Sequence, residues 1–293
     1  MRVAVVGATG TIGTALVPAL VDAGHEVTAL SRRGGPARSG VTSLAVDATD
    51  AAQVETALGG ATVVVHLVHS LGTSDFEARD RAAARAVAAA ARANGAQQIV
   101  YLGGLSDPGG ELSPHLRSRA ETAAVLAEAG VPVTTLAAAM IVGAGSAAFE
   151  TILALVDRLP VMVCPRWVSV ETQPVALADV VAALLAVAGE TRSLGATYEV
   201  GGPERMTYRE MLERTARIRG KRPLLIEVPF LTPRLSSLWL HLVTPVNAAV
   251  SRPLVEGLRV PTIARESRIW ELAGRAPLPF DDAVRTALLE RPG

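Results

Sequence analysis

The chain opens on a strand-like run, Arg2–Val6, whose last four residues are all apolar, and comparable short runs recur at 26–30, 41–46, 62–67, 98–102 and 131–136. Aliphatic and β-branched runs without polar alternation predict strands buried on both faces, as in a parallel sheet. Between them the spacing turns helical. One helix runs from a glycine loop to about Asp22, and a second begins near Asp50. A third, over 77–92, is rich in alanine and arginine, which favour helix, and Asn94-Gly95 stops it. A fourth covers 114–128 and ends at Gly130. Six strands alternating with helices predict an α/β fold, a Rossmann doubly wound parallel sheet with right-handed crossovers.

Beyond Gly145 the alternation stops. Short strands at 161–163 and 198–200 mix with helices at 177–188 and 208–219, and prolines recur from Pro223 onward. The expected division is a Rossmann domain over 1–145 and a smaller α+β substrate or cap lobe over 146–293. Some of the second half is expected to return to the first domain. The lobe would fold over the C-terminal edge of the sheet, where such folds bind ligands. Stretch 230–258 has amphipathic pieces interrupted by Pro233, Pro245 and Pro253. It reads as a cover for the pocket or a dimer face rather than a contact for a membrane or a greasy substrate, because no Lys/Arg-rich face accompanies the apolar one.

Composition narrows the partners. The formal net charge is zero, which leaves no electrostatic footprint for nucleic acid. Hydrophobic residues make up 49% of the chain, yet no run is long enough for a transmembrane segment. A charged n-region followed by an apolar h-region is missing, which argues against a secretory signal, and a cytoplasmic location is expected; a monomer or homodimer is expected as well. The single cysteine, Cys164, excludes an intrachain disulfide, fits a reducing compartment and reads as a small hydrophobe.

The first strand runs straight into Gly7-Ala8-Thr9-Gly10-Thr11-Ile12-Gly13 and then a helix. Glycines let the backbone turn tightly and approach a pyrophosphate, which rests on unpaired N–H groups at the positive end of the helix dipole. Gly7, Thr9, Gly10, Thr11, Ile12 and Gly13 are therefore candidate cofactor contacts. An NAD-selective site places an acid at the end of the second strand; here that strand ends Ser31-Arg32-Arg33. A serine hydroxyl and two guanidinium groups suit the 2′-phosphate of NADP(H), which is expected over NAD(H). Asp47, followed by Ala48, either meets the adenine amino group or caps the next helix.

These residues resemble the atypical or extended short-chain dehydrogenase/reductases, close to the NmrA-like NAD(P)H-binding proteins. The resemblance rests on the glycine loop, on Asp47 in Val-Asp-Ala-Thr-Asp, and on Val63-Val64-Val65-His66-Leu67. It continues through Val100-Tyr101-Leu102-Gly103-Gly104-Leu105, Tyr198-Glu199-Val200-Gly201-Gly202-Pro203 and Met206-Thr207-Tyr208-Arg209-Glu210. The family implies a cofactor lying along Leu67, Val68, His69 and Gly103. It also implies a serine after the fifth strand and a Tyr-x-x-x-Lys on the following helix, the proton-transfer groups of active members. Here the serine position reads Gly103-Gly104, with Ser106 just beyond, and the Tyr/Lys spacing is taken by His115 and Arg119.

His115 and Arg119, one turn apart, share a helix face. Arg119 can hold the cofactor ribose, and His115 either donates a proton or is simply solvated. Ser106 is either a pocket hydroxyl or part of a turn with Asp107-Pro108-Gly109-Gly110. Alternation sends His66 and Val68 to one face and Leu67 and His69 to the other. A metal at this histidine pair would need further convergent ligands, and none is spaced nearby. Glu171, Gln173 and Asp179 are candidates for lining the second lobe, although Asp179 also suits a helix start.

Two functions follow. One is an NADP(H)-dependent reductase-like enzyme acting on a carbonyl, imine or enone of a hydrophobic small molecule. The other is a non-catalytic NADP(H)-binding sensor, structural or assembly protein, which the missing Tyr/Lys pair motivates. An epimerase or isomerase using bound cofactor transiently is a third.

Overall fold

The computed structural model describes residues 1–70, 73, 75–106, 113–228 and 260–291. The stretch 230–258 and the turn at Asp107-Pro108-Gly109-Gly110 lie outside the described residues.

Seven parallel strands form the central sheet. The first six in sequence are β1 (Arg2–Val6), β2 (Glu26–Ser31), β3 (Val41–Ala45), β4 (Val63–His66), β5 (Gln98–Gly104) and β6 (Val133–Ala138). After short pieces β7 (Ile141–Val142), β8 (Val161–Pro165), β9 (Glu171–Thr172) and β10 (Val175–Ala176), the chain returns with β11 (Thr197–Val200). The spatial order is β3-β2-β1-β4-β5-β6-β11, so the order reverses between β1 and β4. The doubly wound parallel sheet expected from the alternation is present. Segment 198–200, read as a lobe strand, is instead the edge strand of this sheet, paired in register with β6. The sixth strand begins at Val133 rather than 131, because Pro132 has no N–H to give the ladder.

Alternation along β1 feeds two cores. Val3 and Val5 pack under helices α1 (Thr11–Asp22) and α6 (Leu177–Val187), with α8 (Arg268–Ala273) beside them. Ala4 and Val6 face the opposite layer, α2 (Ala51–Leu58), α3 (Phe76–Ala93) and α4 (Pro114–Ala127). Asp50 caps α2, its carboxylate accepting from the N–H groups of Ala52 and Gln53, both at 3.1 Å. The capping alternative for Asp47 is thereby corrected: its carboxylate accepts from Thr49 N and Oγ1 in the turn before the helix.

A third core lies beyond the sheet's C-terminal edge, among α5 (Ala147–Arg158), β8, α7 (Tyr208–Ile218), which follows β12 (Met206–Thr207), and α9 (Phe280–Leu289). Cys164 is a buried member of it, its thiol pushed up to about 11 by burial. β13 (Leu224–Val228) pairs with β8. Among the described residues no helix is long and apolar enough to cross a membrane.

Polar ties hold the returning chain to the sheet. Buried Gln98, at the start of β5, accepts from Gly189 N (2.7 Å). Its amide reaches Thr134 Oγ1 (2.8 Å), Val187 O (2.9 Å) and Ser193 Oγ (3.0 Å), sharing two protons among three acceptors. Asp179, fully buried in the first turn of α6, accepts from Leu278 N (2.7 Å) and pairs with Arg275 (2.8 Å). Gln173 donates to Gly202 O (2.6 Å) and accepts from Ala264 N (3.0 Å). These two residues bind chain to chain, and neither lines the cavity described below. Replacing Gln98 by Leu strands several buried partners at once. The Gln98→Leu variant is expected to lose about 2–4 kcal/mol, read as a lower urea midpoint at unchanged m-value.

Candidate functional site

The loop between β1 and α1 is shaped by contacts that only glycine permits. Gly7 sits at φ +95°, and a Cβ there would meet the backbone of Leu67 and Val68 at 3.1–3.2 Å. Gly13 packs so closely on Ala8 that a Cβ would fall 2.6 Å from its backbone. Gly10 differs, since a Cβ there would meet only Gly7 O at 3.4 Å, so the open side of this glycine faces away from the protein. The N–H groups of Gly7 and Ala8 donate to Leu30 O and lock the loop onto the end of β2. Gly10 is the N-cap of α1 and supplies no side-chain cap. The positive end of that helix is left to a ligand, and these features fit a dinucleotide pyrophosphate.

A cavity of about 270 Å³ runs from this loop along the C-terminal ends of β4, β5 and β6. Of the residues singled out from sequence, Gly7, Gly10, Thr11, Ile12, Gly13, Leu67, His69, Gly103, His115 and Arg119 line it. Val68 instead packs into the opposite core, and Ala48 lies near it there. Thr9, Arg32 and Arg33 are exposed around the far end of the loop, and Arg32 is close enough to Asp47 to help hold its carboxyl below the usual range. Hydrogen bonds from Thr49 are the larger cause of that lowering. Ser31 is buried and its hydroxyl donates to Gly34 O (2.8 Å), so it closes the arginine loop in this conformation. Ser106 is half-buried beyond Leu105 and does not line the cavity. Glu171, exposed on β9, does not line it either.

Where the resemblance would place a serine stand two glycines, and an added side chain there would be tight. A Cβ on Gly103 would lie 3.2 Å from the Tyr101 ring, and one on Gly104 would lie 3.0 Å from Leu116 Cδ2. Tyr101 is fully buried under the sheet edge and donates to Arg119 O (3.1 Å). Helix α4, capped by the Ser113 hydroxyl, presents His115 and Arg119 to the cavity. Asp80 of α3 accepts from Ser70 N (2.6 Å) and Ser118 Oγ (3.4 Å), which ties the His69 loop to α4. Burial pushes the Asp80 carboxyl up.

Arg119 dominates the electrostatics. Its guanidinium lies over Tyr101, 6.0 Å from the ring centroid, and its Nε is buried without a hydrogen-bond partner. Burial, with Arg119 adding to it, lowers His115 and His66 to about 3 each. His69 is exposed at the cavity mouth, and desolvation by the walls together with Arg119 lowers it too. All three imidazoles are therefore neutral at physiological pH. His66 is fully buried beside Tyr101, with both ring nitrogens unpartnered.

The cavity is completed by residues that sequence reading did not single out as site residues. Met140 and Ile141 follow β6, and Ser146, Ala147 and Ala148 open α5. Thr11 Oγ1 donates to Gly145 O (2.8 Å) and joins the glycine loop to this segment. Tyr208 starts α7 and reaches the cavity with Thr262; its phenol is pushed up by burial against hydrogen bonding to Thr172 and Thr262. The one sequence signal for its placement is the capping box of Thr207 and Glu210, which fixes the start of that helix.

Residues 7–143 match a family model described as NAD(P)H-binding. Over 76 residues, 26% of the chain, it is 41% identical to uncharacterized proteins of Mycobacterium bovis and Mycobacterium tuberculosis, and this match spans 9% of their length. Among solved structures, a nucleoside-diphosphate-sugar epimerase of Staphylococcus aureus superimposes with TM-score 0.79 at 15% identity, over 97% of this chain and 100% of that one. The Bordetella bronchiseptica enzyme WbmG, in complex with NAD and UDP, does so with TM-score 0.75 at 18% identity, over 98% and 92%. At such identities the likeness is one of fold. The findings agree with the resemblance to atypical short-chain dehydrogenase/reductases: the fold is shared, and residues 7–143 are similar to NAD(P)H-binding proteins.

The neutral histidines make stability fall with acid. Below pH about 6.5 the unfolded chain protonates His66 while the folded chain does not until about pH 3. Its contribution is thus lost as pH falls through that window, at about 1.4 kcal/mol per pH unit. Urea unfolding at pH 7 and pH 5 is expected to show a drop in the wild type about 2 kcal/mol larger than in His66→Leu.

Proposed function

We propose that this NAD(P)H-binding chain is an NADP(H)-dependent oxidoreductase that acts on a hydrophobic small molecule, reducing a carbonyl, imine or enone without a tyrosine/lysine pair. One observation carries the reading. A single cavity joins the glycine cradle to an apolar wall of Leu102, Leu105, Ala138, Met140 and Ile141, with His115 and Arg119 on its edge. When bound, the cofactor supplies the hydride. The chain supplies orientation and charge. Arg119 sits where a cofactor ribose or a developing oxyanion would find a fixed cation, and neutral His115 offers an N–H to a substrate oxygen rather than an acidic imidazolium. The preference for NADP(H) is supported by the exposed Arg32 and Arg33 and by the lack of an acid at the end of β2.

Fluorescence titration of NADPH and NADH, followed by nicotinamide absorbance with enones, quinones, imines and ketones, tests this. NADPH should bind more tightly, and Arg32→Ala should weaken NADPH about tenfold while leaving NADH unchanged. A preference for NADH would reject the NADP(H) assignment. Tight NADPH binding with no turnover on any compound would favour the non-catalytic binding protein. His115→Ala should lower turnover about 100-fold at unchanged NADPH affinity; unchanged turnover would remove His115 from the chemistry.

A further inference from the structure

We infer that the cavity recognises an anionic ligand, a hydrophobic molecule bearing a carboxylate that seats on Arg119 between His69 and His115. The inference rests on the oxidoreductase reading and adds the charge of its substrate. Among the described residues lining the cavity, Arg119 is the one charged group, and no Asp or Glu faces it there. No carboxylate forms a salt bridge with Arg119 among the described residues, and its buried Nε has no hydrogen-bond partner. Asp80, whose charge Arg119 senses, has its oxygens placed on Ser70 N–H and the Ser118 hydroxyl.

A half-buried guanidinium with an unmet N–H is costly to maintain unless an anion completes it. Its planar fork suits a carboxylate, which it binds with two charge-assisted hydrogen bonds. His69 and His115 line the cavity beside it, so each adds a hydrogen-bonding group. Leu102, Leu105 and Met140 leave the remainder of the space apolar. An apolar body with one carboxylate matches both halves of this lining. The cofactor's own diphosphate is the competing anion for Arg119.

Calorimetric titration of trans-cinnamate and its neutral isostere trans-cinnamamide, with and without saturating NADPH, separates these cases. Cinnamate is expected to bind at least tenfold more tightly than the amide. Arg119→Gln should abolish the preference while leaving amide affinity unchanged, and Arg119→Lys should keep part of it. Equal affinity for the two probes, or no binding of either, overturns the inference. So does an Arg119→Gln protein that loses NADPH affinity tenfold without any change in the cinnamate preference, since the arginine would then serve the cofactor. If NADPH itself fails to bind, the oxidoreductase reading falls, and the cinnamate-to-cinnamamide comparison without cofactor still decides this inference.

Discussion

The site depends on one steric constraint: β1 must turn into α1 against the backbone at the end of β4. Gly7 has a positive φ and no side chain, which allows the loop to touch Leu67 and Val68, and Gly13 lets α1 settle on Ala8. A side chain at either position would push the helix off the sheet or force β1 away from β4. The sheet order reverses at that pair of strands, so the ends of β4, β5 and β6 diverge from the loop and leave a crevice. The uncapped helix terminus and the cavity both follow from this close approach.

Charge in the crevice is organised by Arg119. One guanidinium, held over Tyr101 and near the buried carboxylate of Asp80, reinforces burial in keeping His66 and His115 neutral. In a site of low effective dielectric, a cation acts over several ångströms and sets the protonation of its neighbours. The departure from the Tyr-x-x-x-Lys pattern is therefore more than a deletion. A fixed cation with a forked donor set stands in the helix position of the lysine, and neutral imidazoles provide the nearby polar atoms. The glycines at the serine position lie close against the side chains of Tyr101 and Leu116. Together these features give the cavity a different set of polar groups on the same frame.

The second half of the chain holds the first in shape. β11 extends the sheet beside β6, α6 and α8 cover one face, and the Gln98 and Asp179 ties anchor the returning segments. Beyond the sheet edge, a separate apolar core fixes α5 and α7 so that Ser146 and Tyr208 reach the cavity. The bond from Thr11 to Gly145 ties the glycine loop to the segment that leads into α5.

The parallel sheet, its helices and the glycine cradle were legible in the sequence because they arise from local rules. Buried strands read as apolar runs, Asn94-Gly95 and Gly130 stop helices, and the Gly7 to Gly13 spacing has a backbone reason. His115 and Arg119 were legible too, since helical spacing alone puts them on one face. What the tertiary structure decided involves residues far apart in the chain. The edge position of 197–200, the linking roles of Gln98, Gln173 and Asp179, and the arrival of Tyr208 depend on contacts spanning tens of residues. The neutrality of His66 and His115 has the same origin: burial and the field of Arg119 are properties of the packed molecule, and no pattern of neighbours along the chain encodes them.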